Sequence, residues 1–176
     1  MSLYPHYVRY NDSTHIDSTN YLYFDDGSDE LRRILRSKFN SFLNYYDHLG
    51  TSVTTITTTN FYKLTTTTTL ALYNDNFQHT NNRITNLNTN RNCKLEASVS
   101  VTSGNNDILN FAFYKNGTII TSSEMDVNCS SSGKASTTHI QTIVNLDVND
   151  YVEVWVKNQS SNNVTLVHLN VIITEI

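Results

Sequence analysis

The sequence predicts an all-β fold: a jelly-roll β-sandwich of about eight to ten strands, preceded by an extended N-terminal arm and one α-helix. Three observations carry this. From Lys94 onward, apolar and polar residues alternate with the period of a strand. Turn clusters interrupt the alternation roughly every 8–12 residues, the rhythm of a sandwich. The composition is 38% apolar and only 16% charged, and Thr, Asn and Ser fill the balance. Thr suits strands because it is β-branched, and Asn suits turns because it tolerates a left-handed backbone.

The elements follow in order. Residues 1 to about 27 scatter Tyr4, Tyr7, Tyr10, Tyr21, Tyr23 and Phe24 among Asp, Asn, Ser and His. Such a segment has no core of its own and reads as an arm that orders when it docks on a neighbour. Ser28 to about Tyr46 reads as a helix. Ser28 can cap it, and Asp29 and Glu30 suit the positive end of its dipole. Leu31, Ile34, Leu35, Lys38, Phe39, Phe42, Leu43 and Tyr46 fall at 3–4 spacing, a stripe apolar apart from Lys38, and Gly50 is the stop. Thr51 to Thr59 reads as an extended linker or edge strand. The expected organisation is thus 1–50 arm and amphipathic helix (helix about 28–46), 51–59 Thr-rich linker, and 60–176 sandwich.

Within the sandwich, Asn60–Leu64 and Thr69–Asn74 form a hydroxyl-rich strand pair. Weaker strand pieces lie around Ile84 and Leu87. Lys94 to Thr102 sends Leu95, Ala97, Val99 and Val101 inward. After the turn Ser103–Asp107, Ile108 to Tyr114 puts Leu109, Phe111 and Phe113 on the core side. Asn116-Gly117 is a tight-turn signal, with Thr118 to Ser122 as the return strand. Ser136 to Leu146 alternates again. Tyr151 to Val156 sets Val152, Val154 and Val156 against Tyr151, Glu153, Trp155 and Lys157. Val164 to Ile176 completes the set.

The order of these signposts resembles the globular head of the C1q/TNF-like superfamily. The residues that carry it are Tyr114-Lys-Asn-Gly117, then Asn149-Asp-Tyr-Val-Glu-Val-Trp-Val156, then the apolar strand Val164–Ile176. The resemblance covers about residues 60–176. This chain departs from the pattern at Asn149, where the family has Gly, and with only five glycines it has no collagen stalk. The resemblance implies a jelly-roll head that assembles as a homotrimer. A stalkless head with a Tyr-rich arm is similar to small jelly-roll proteins of viruses and phages: head-fibre, decoration or minor capsid components.

Several function classes find little support. The 12 basic and 16 acidic residues give a net charge of −4 with no basic stripe, so nucleic-acid binding is not expected. No apolar run approaches the ~18 residues of a membrane helix, and Met1 to Tyr10 does not read as a signal peptide. Cys93 and Cys129 read as free thiols. The six histidines show no metal-binding spacing, and no nucleophile, metalloprotease or phosphate-binding motif is present. His139 and His168 lie in expected strands and are candidate neighbours. Asp147 and Asp150 flank a turn, as turn caps or, less simply, calcium ligands. No catalytic residue, metal site or cofactor is expected.

The expectation is a non-enzymatic virion protein, made in a host cytoplasm. It assembles through Tyr151, Glu153, Trp155 and Lys157. It anchors to other capsid or virion proteins through Tyr4, Tyr7, Tyr10, Tyr21, Tyr23, Phe24, Leu31, Leu35, Phe39 and Phe42. Loops at Ser103–Asp107, Ser130–Lys134 and Asn158–Asn163 would face a host receptor or glycan. The alternative is a secreted or surface C1q-like module that binds carbohydrate or protein.

Overall fold

Two antiparallel sheets face each other across an aliphatic and aromatic core in the computed structural model. It describes residues 41–176 apart from 74, 75 and 132, with the backbone alone at 70–73. The strands are β1 (Phe42–His48), β2 (Val53–Thr54), β3 (Tyr62–Lys63), β4 (Thr69–Tyr73), β5 (Phe77–His79), β6 (Arg83–Asn86) and β7 (Arg91–Thr102). They continue with β8 (Asp107–Lys115), β9 (Thr118–Ile119), β10 (Met125–Cys129), β11 (Ser136–Leu146), β12 (Tyr151–Asn158) and β13 (Val164–Glu175). One sheet runs β11-β7-β13-β1-β4, with β2 paired to β13. The other runs β10-β8-β12-β6-β5, with β3 paired to β12 and β9 to β8.

The alternation read from the sequence is the packing rule of both sheets. Leu95, Ala97, Val99 and Val101 of β7 are buried, as are Leu109, Phe111 and Phe113 of β8. Val152, Val154 and Val156 meet them from β12, and Val164, Leu166, Leu169, Val171 and Ile173 from β13. Each of the Val, Leu, Ile and Phe side chains, fully buried, contributes roughly 1.5–3 kcal/mol. Cys93 and Cys129 lie inside the sandwich as free thiols. Burial pushes the Cys93 thiol up to about 11, so it is unreactive at neutral pH.

The C-terminal part of the expected helix is a strand. Phe42–His48 pairs with β13 residue by residue, from Phe42 opposite Thr174 to His48 opposite His168. Its burial alternates: Leu43, Tyr45 and Asp47 are buried, whereas Phe42, Tyr46 and His48 are exposed. Spacing of 3–4 between apolar residues did not separate the two periods in so short and aromatic a run, and pairing on both edges decided for the strand. Phe42 therefore faces solvent from a strand rather than an arm. The rest of the expected arm and helix, including Tyr4, Tyr7, Tyr10, Tyr21, Tyr23, Phe24, Leu31, Leu35 and Phe39, lies outside the described residues.

The expected linker is also part of the sandwich. Thr54 and Ile56 are buried, Val53–Thr54 pairs with β13, and the Ile56 amide donates to Asn163 Oδ1 at 3.0 Å. The sandwich thus starts near Ser41, not residue 60. The return strand after Gly117 is shorter than expected, because a 3₁₀ turn takes over at Thr121–Ser123. There Ser123 Oγ accepts the Phe113 amide at 2.8 Å, an inward bond unavailable to a continuing strand. β10 was not foreseen; its exposed Met125 and Asp126 break the apolar alternation.

Leu43→Ala should cost about 2–5 kcal/mol of stability in urea unfolding, and Phe42→Ala far less. A helix burying both residues would give similar losses for the two.

Candidate functional site

The outer faces of the two sheets differ in what already covers them. On the β10-β8-β12-β6-β5 sheet, the polar side chains are largely satisfied within the chain. Glu153 is only 3% exposed. Its Oε1 takes Lys63 Nζ at 2.8 Å and Arg83 Nε at 2.9 Å, and Trp155 Nε1 donates to its Oε2 at 3.1 Å. Burial works to raise this carboxyl, but the three donors outweigh it and hold it below the usual carboxylate range. Trp155 stacks on Tyr114 with ring centroids 4.3 Å apart, and Phe61 lies against Tyr114. The Arg83 guanidinium sits 3.8 Å over the Tyr151 ring, and Lys157 caps Phe61. Ala112 beneath this layer is fully buried. Tyr151, Glu153, Trp155 and Lys157 therefore share one face, as the alternation required, and each has an intrachain partner.

The outer face of the β11-β7-β13-β1-β4 sheet has no such cover among the described residues. It displays Asn44, Tyr46 and His48 from β1, and His168 and Asn170 from β13. β7 adds Ser98 and Ser100, and β11 adds Thr137 and His139. These side chains line an open groove of about 880 Å³. Beyond it, Ile143 is 65% exposed and Phe42 is 40% exposed. Charge is sparse: Lys94 and Glu96 pair with each other at 2.9 Å.

Short cross-strand contacts stiffen this face. Asn44 Nδ2 donates to Asn170 Oδ1 and, at 3.0 Å, to the Val171 carbonyl. Ser98 Oγ lies 3.1 Å from His139 Nδ1. His48 and His168, directly opposite in the ladder, stack with centroids 5.0 Å apart and planes 25° apart. The expected neighbours His139 and His168 line the same groove but sit on strands separated by β7. The sequence reading missed this face because Asn44 and Tyr46 fall in the expected helix and His48 just beyond its end. The signal was there in their alternation with Leu43, Tyr45 and Asp47.

One end of the sandwich is pinned by Asp107, which is 1% exposed. Its Oδ2 accepts Ser103 Oγ at 2.8 Å, the Gly104 amide at 2.7 Å and Asn158 Nδ2 at 2.9 Å. Asn162 Nδ2 adds a bond to Oδ1 at 3.0 Å. Two expected ligand loops, Ser103–Asp107 and Asn158–Asn163, are thus joined by one carboxylate. Its oxygens meet N–H and O–H donors, which suits a loop pin and not a cation. Asp150 is a turn cap as well: it accepts the Asp147 amide at 2.8 Å and pairs with Lys115 at 2.7 Å. No group of three or more His, Cys, Asp or Glu able to hold a metal occurs among the described residues. None of their helices is long and apolar enough to cross a membrane.

Two solved structures that this chain resembles at TM-scores above 0.5 decide the fold. Murine APRIL aligns with a TM-score of 0.53 at 9% identity, covering 78% of this chain and 100% of that one. The fold is a TNF-like jelly roll. An Eiger TNF from S. frugiperda aligns with a TM-score of 0.51 at 9% identity, covering 77% of this chain and 93% of that one. The vertex protein P5 of PRD1 aligns with a TM-score of 0.48 at 11% identity over 77% of this chain and 95% of that one. No family model matches the sequence, and no curated protein matches it.

Burial acts to raise the Asp107 carboxyl, but the donors from Asn158, Ser103 and Asn162 outweigh it and lower it to about 2. An unfolded aspartate titrates near ~3.9. Asp107 therefore adds stability that is complete above about pH 4 and lost as the pH falls through about 2. Asp107→Asn should lower the urea midpoint at pH 7 and flatten its fall between about pH 4 and 2.

Proposed function

We propose that this chain is a non-enzymatic structural protein of a virion, a jelly-roll head that assembles as a homotrimer. Assembly runs through the outer face of the β11-β7-β13-β1-β4 sheet, and residues 1–40 anchor the head to other capsid or virion proteins. The observation that carries the assembly reading is the contrast between the two outer faces. One is already layered with Phe61, Tyr114, Trp155 and Lys157. The other leaves Phe42, Tyr46 and Ile143 exposed on a surface whose described Lys94 and Glu96 are paired, whereas the layered sheet leaves Ile108 and Met125 exposed only at its β10-β8 edge. Depletion of free charge with aromatic enrichment is the composition of an interface core.

The area is sufficient. Five strands at ~4.8 Å spacing, 5–12 residues long at ~3.3 Å per residue, present on the order of 700 Å². A standard interface takes about 800 Å² from each partner. The virion setting is supported by the jelly-roll fold together with the Tyr-rich segment before it, which offers aromatic anchors of the kind that dominate docking energy. In this reading the head does its work by geometry and has no reaction to perform.

Light scattering on the full chain should give three chain masses. Tyr46→Glu, which puts a charge on the open face, should give one chain mass. Lys157→Glu, on the opposite sheet, should leave the trimer intact. Dissociation by Lys157→Glu alone would move the interface to the Trp155 face. A wild-type monomer at all concentrations would reject assembly and favour a ligand-binding module with the groove free.

A further inference from the structure

Glu153 holds two cations with one oxygen: Lys63 Nζ at 2.8 Å and Arg83 Nε at 2.9 Å. Two positive charges thus share a single carboxylate. Among the described residues, Arg83 uses only its Nε in this pair, so the Nη1 and Nη2 edge of the guanidinium keeps its donors. We propose that the recess in front of Arg83 and Lys63 is a binding site for the carboxylate of an acidic sugar.

The recess encloses about 370 Å³ and is lined by Lys63 from β3, Gln78 from β5, Thr80 and Asn81 from the β5–β6 turn, and Arg83 and Thr85 from β6. Its walls are held from behind. Thr80 and Arg83 exchange backbone hydrogen bonds at 3.0 and 3.1 Å, and Asn81 and Asn82 between them lie at φ 49° and 58°. Two left-handed residues are what a two-residue hairpin turn prefers, and Asn tolerates that conformation. Asn82 is 1% exposed and turns its side chain inward. Its Oδ1 accepts the Tyr45 hydroxyl, and its Nδ2 donates to the Leu64 carbonyl at 3.0 Å. Leu64 follows Lys63, and its amide donates to the Val154 carbonyl at 3.0 Å. One buried amide therefore ties the turn that carries Arg83 to the strand that carries Lys63.

The two head groups are oriented as well. Glu153, 3% exposed, sets them from beneath, and the Tyr151 ring lies 3.8 Å under the guanidinium and fixes its plane. Lysine and arginine on an open surface lose rotamer freedom when a ligand orders them. Here much of that ordering precedes binding.

The chemistry of the lining selects the ligand. The planar fork of N–H groups matches two oxygens of one carboxylate, and the Lys63 ammonium adds a point charge. All six lining side chains are polar. Amides and hydroxyls both donate and accept, as sugar hydroxyls do. The volume is at the small end for ligand sites, so it suits one sugar residue. The recess is on the other sheet from the proposed assembly face, and binding is therefore read independently of assembly.

The test is heteronuclear NMR of the full chain titrated with D-glucuronate, with D-glucose, which lacks the carboxylate, and with inorganic phosphate. Glucuronate should shift the Asn81, Arg83 and Thr85 amides saturably. Glucose should bind about tenfold more weakly or worse, the loss of a charge-assisted pair. Phosphate should shift the same amides but more weakly than glucuronate. No saturable shift with glucuronate, or shifts confined to other residues, overturns the proposal. Glucose binding as well as glucuronate overturns the role of the cations, and phosphate binding as well as glucuronate overturns the assignment to a sugar. Arg83→Lys keeps a charge against Glu153 but removes the fork. It should weaken glucuronate about tenfold with little change in the urea midpoint, and wild-type binding by this variant overturns the proposal. Lys134→Gln, in the β10–β11 loop, should bind as the wild type does. An equal loss there would mean diffuse charge attraction and overturn the site.

Discussion

The ladder between β1 and β13 is the constraint on which the rest of the sandwich depends. It joins Phe42–His48 to His168–Thr174, more than a hundred residues apart in sequence. Around it, β13 pairs with β7 on its other edge and with β2 near its start, and β4 pairs with β1. Without this ladder the sheet that carries the open face would be two fragments. Its far end is clasped as well: Arg91 Nη1 meets Glu175 Oε2 at 2.9 Å, and the Glu175 amide donates to the Ser41 carbonyl at 2.7 Å. Closing so long a loop costs entropy before any contact returns it, so such a fold is expected to form slowly.

Polar groups inside the sandwich serve the same closure. Asn86 is fully buried, and its side-chain nitrogen reaches the carbonyls of Thr89, Leu146 and Asp147 at 3.0–3.1 Å. It ties the β6–β7 connection to the β11–β12 turn. Asp107 does the equivalent at the other end, and Glu153 ties β12 to β3 and β6. The Asn86 nitrogen and the Asp107 and Glu153 carboxylates are withdrawn from water and matched by partners, as a buried polar group requires; the Asn86 Oδ1 is buried without a partner among the described residues. The Asn and Ser that dilute the apolar content of the sequence therefore have work to do at the loops.

β7, β8, β11, β12 and β13 were legible because apolar residues alternate along each of them, whereas β10 lacks that alternation and was not foreseen. Val152, Val154 and Val156 against Tyr151, Glu153, Trp155 and Lys157 is the clearest case. β1 was hidden because Leu43, Tyr45 and Tyr46 satisfy helical and strand spacing at once, and its pairing partner lies at the other end of the sequence. The candidate site failed to appear for the same reason: three of its residues are on β1. Glu153 and Trp155 drew attention as a mixed polar and aromatic set, but sequence does not reveal that Lys63, Arg83, Tyr114 and Phe61 arrive from other strands to cover them.

The clasp at Ser41 and Glu175 has a mechanical corollary. Both residues stand at the same end of an antiparallel pair, so a force drawing them apart loads the β1–β13 hydrogen bonds one after another, like opening a zip. It does not shear them together. A head tethered through residue 41 and pulled through Ile176 would peel from that end. A head tethered at residue 41 and pulled from the Asp107 pole would bear the load along the length of its strands. The direction of the tug, more than its size, would set how long the head holds.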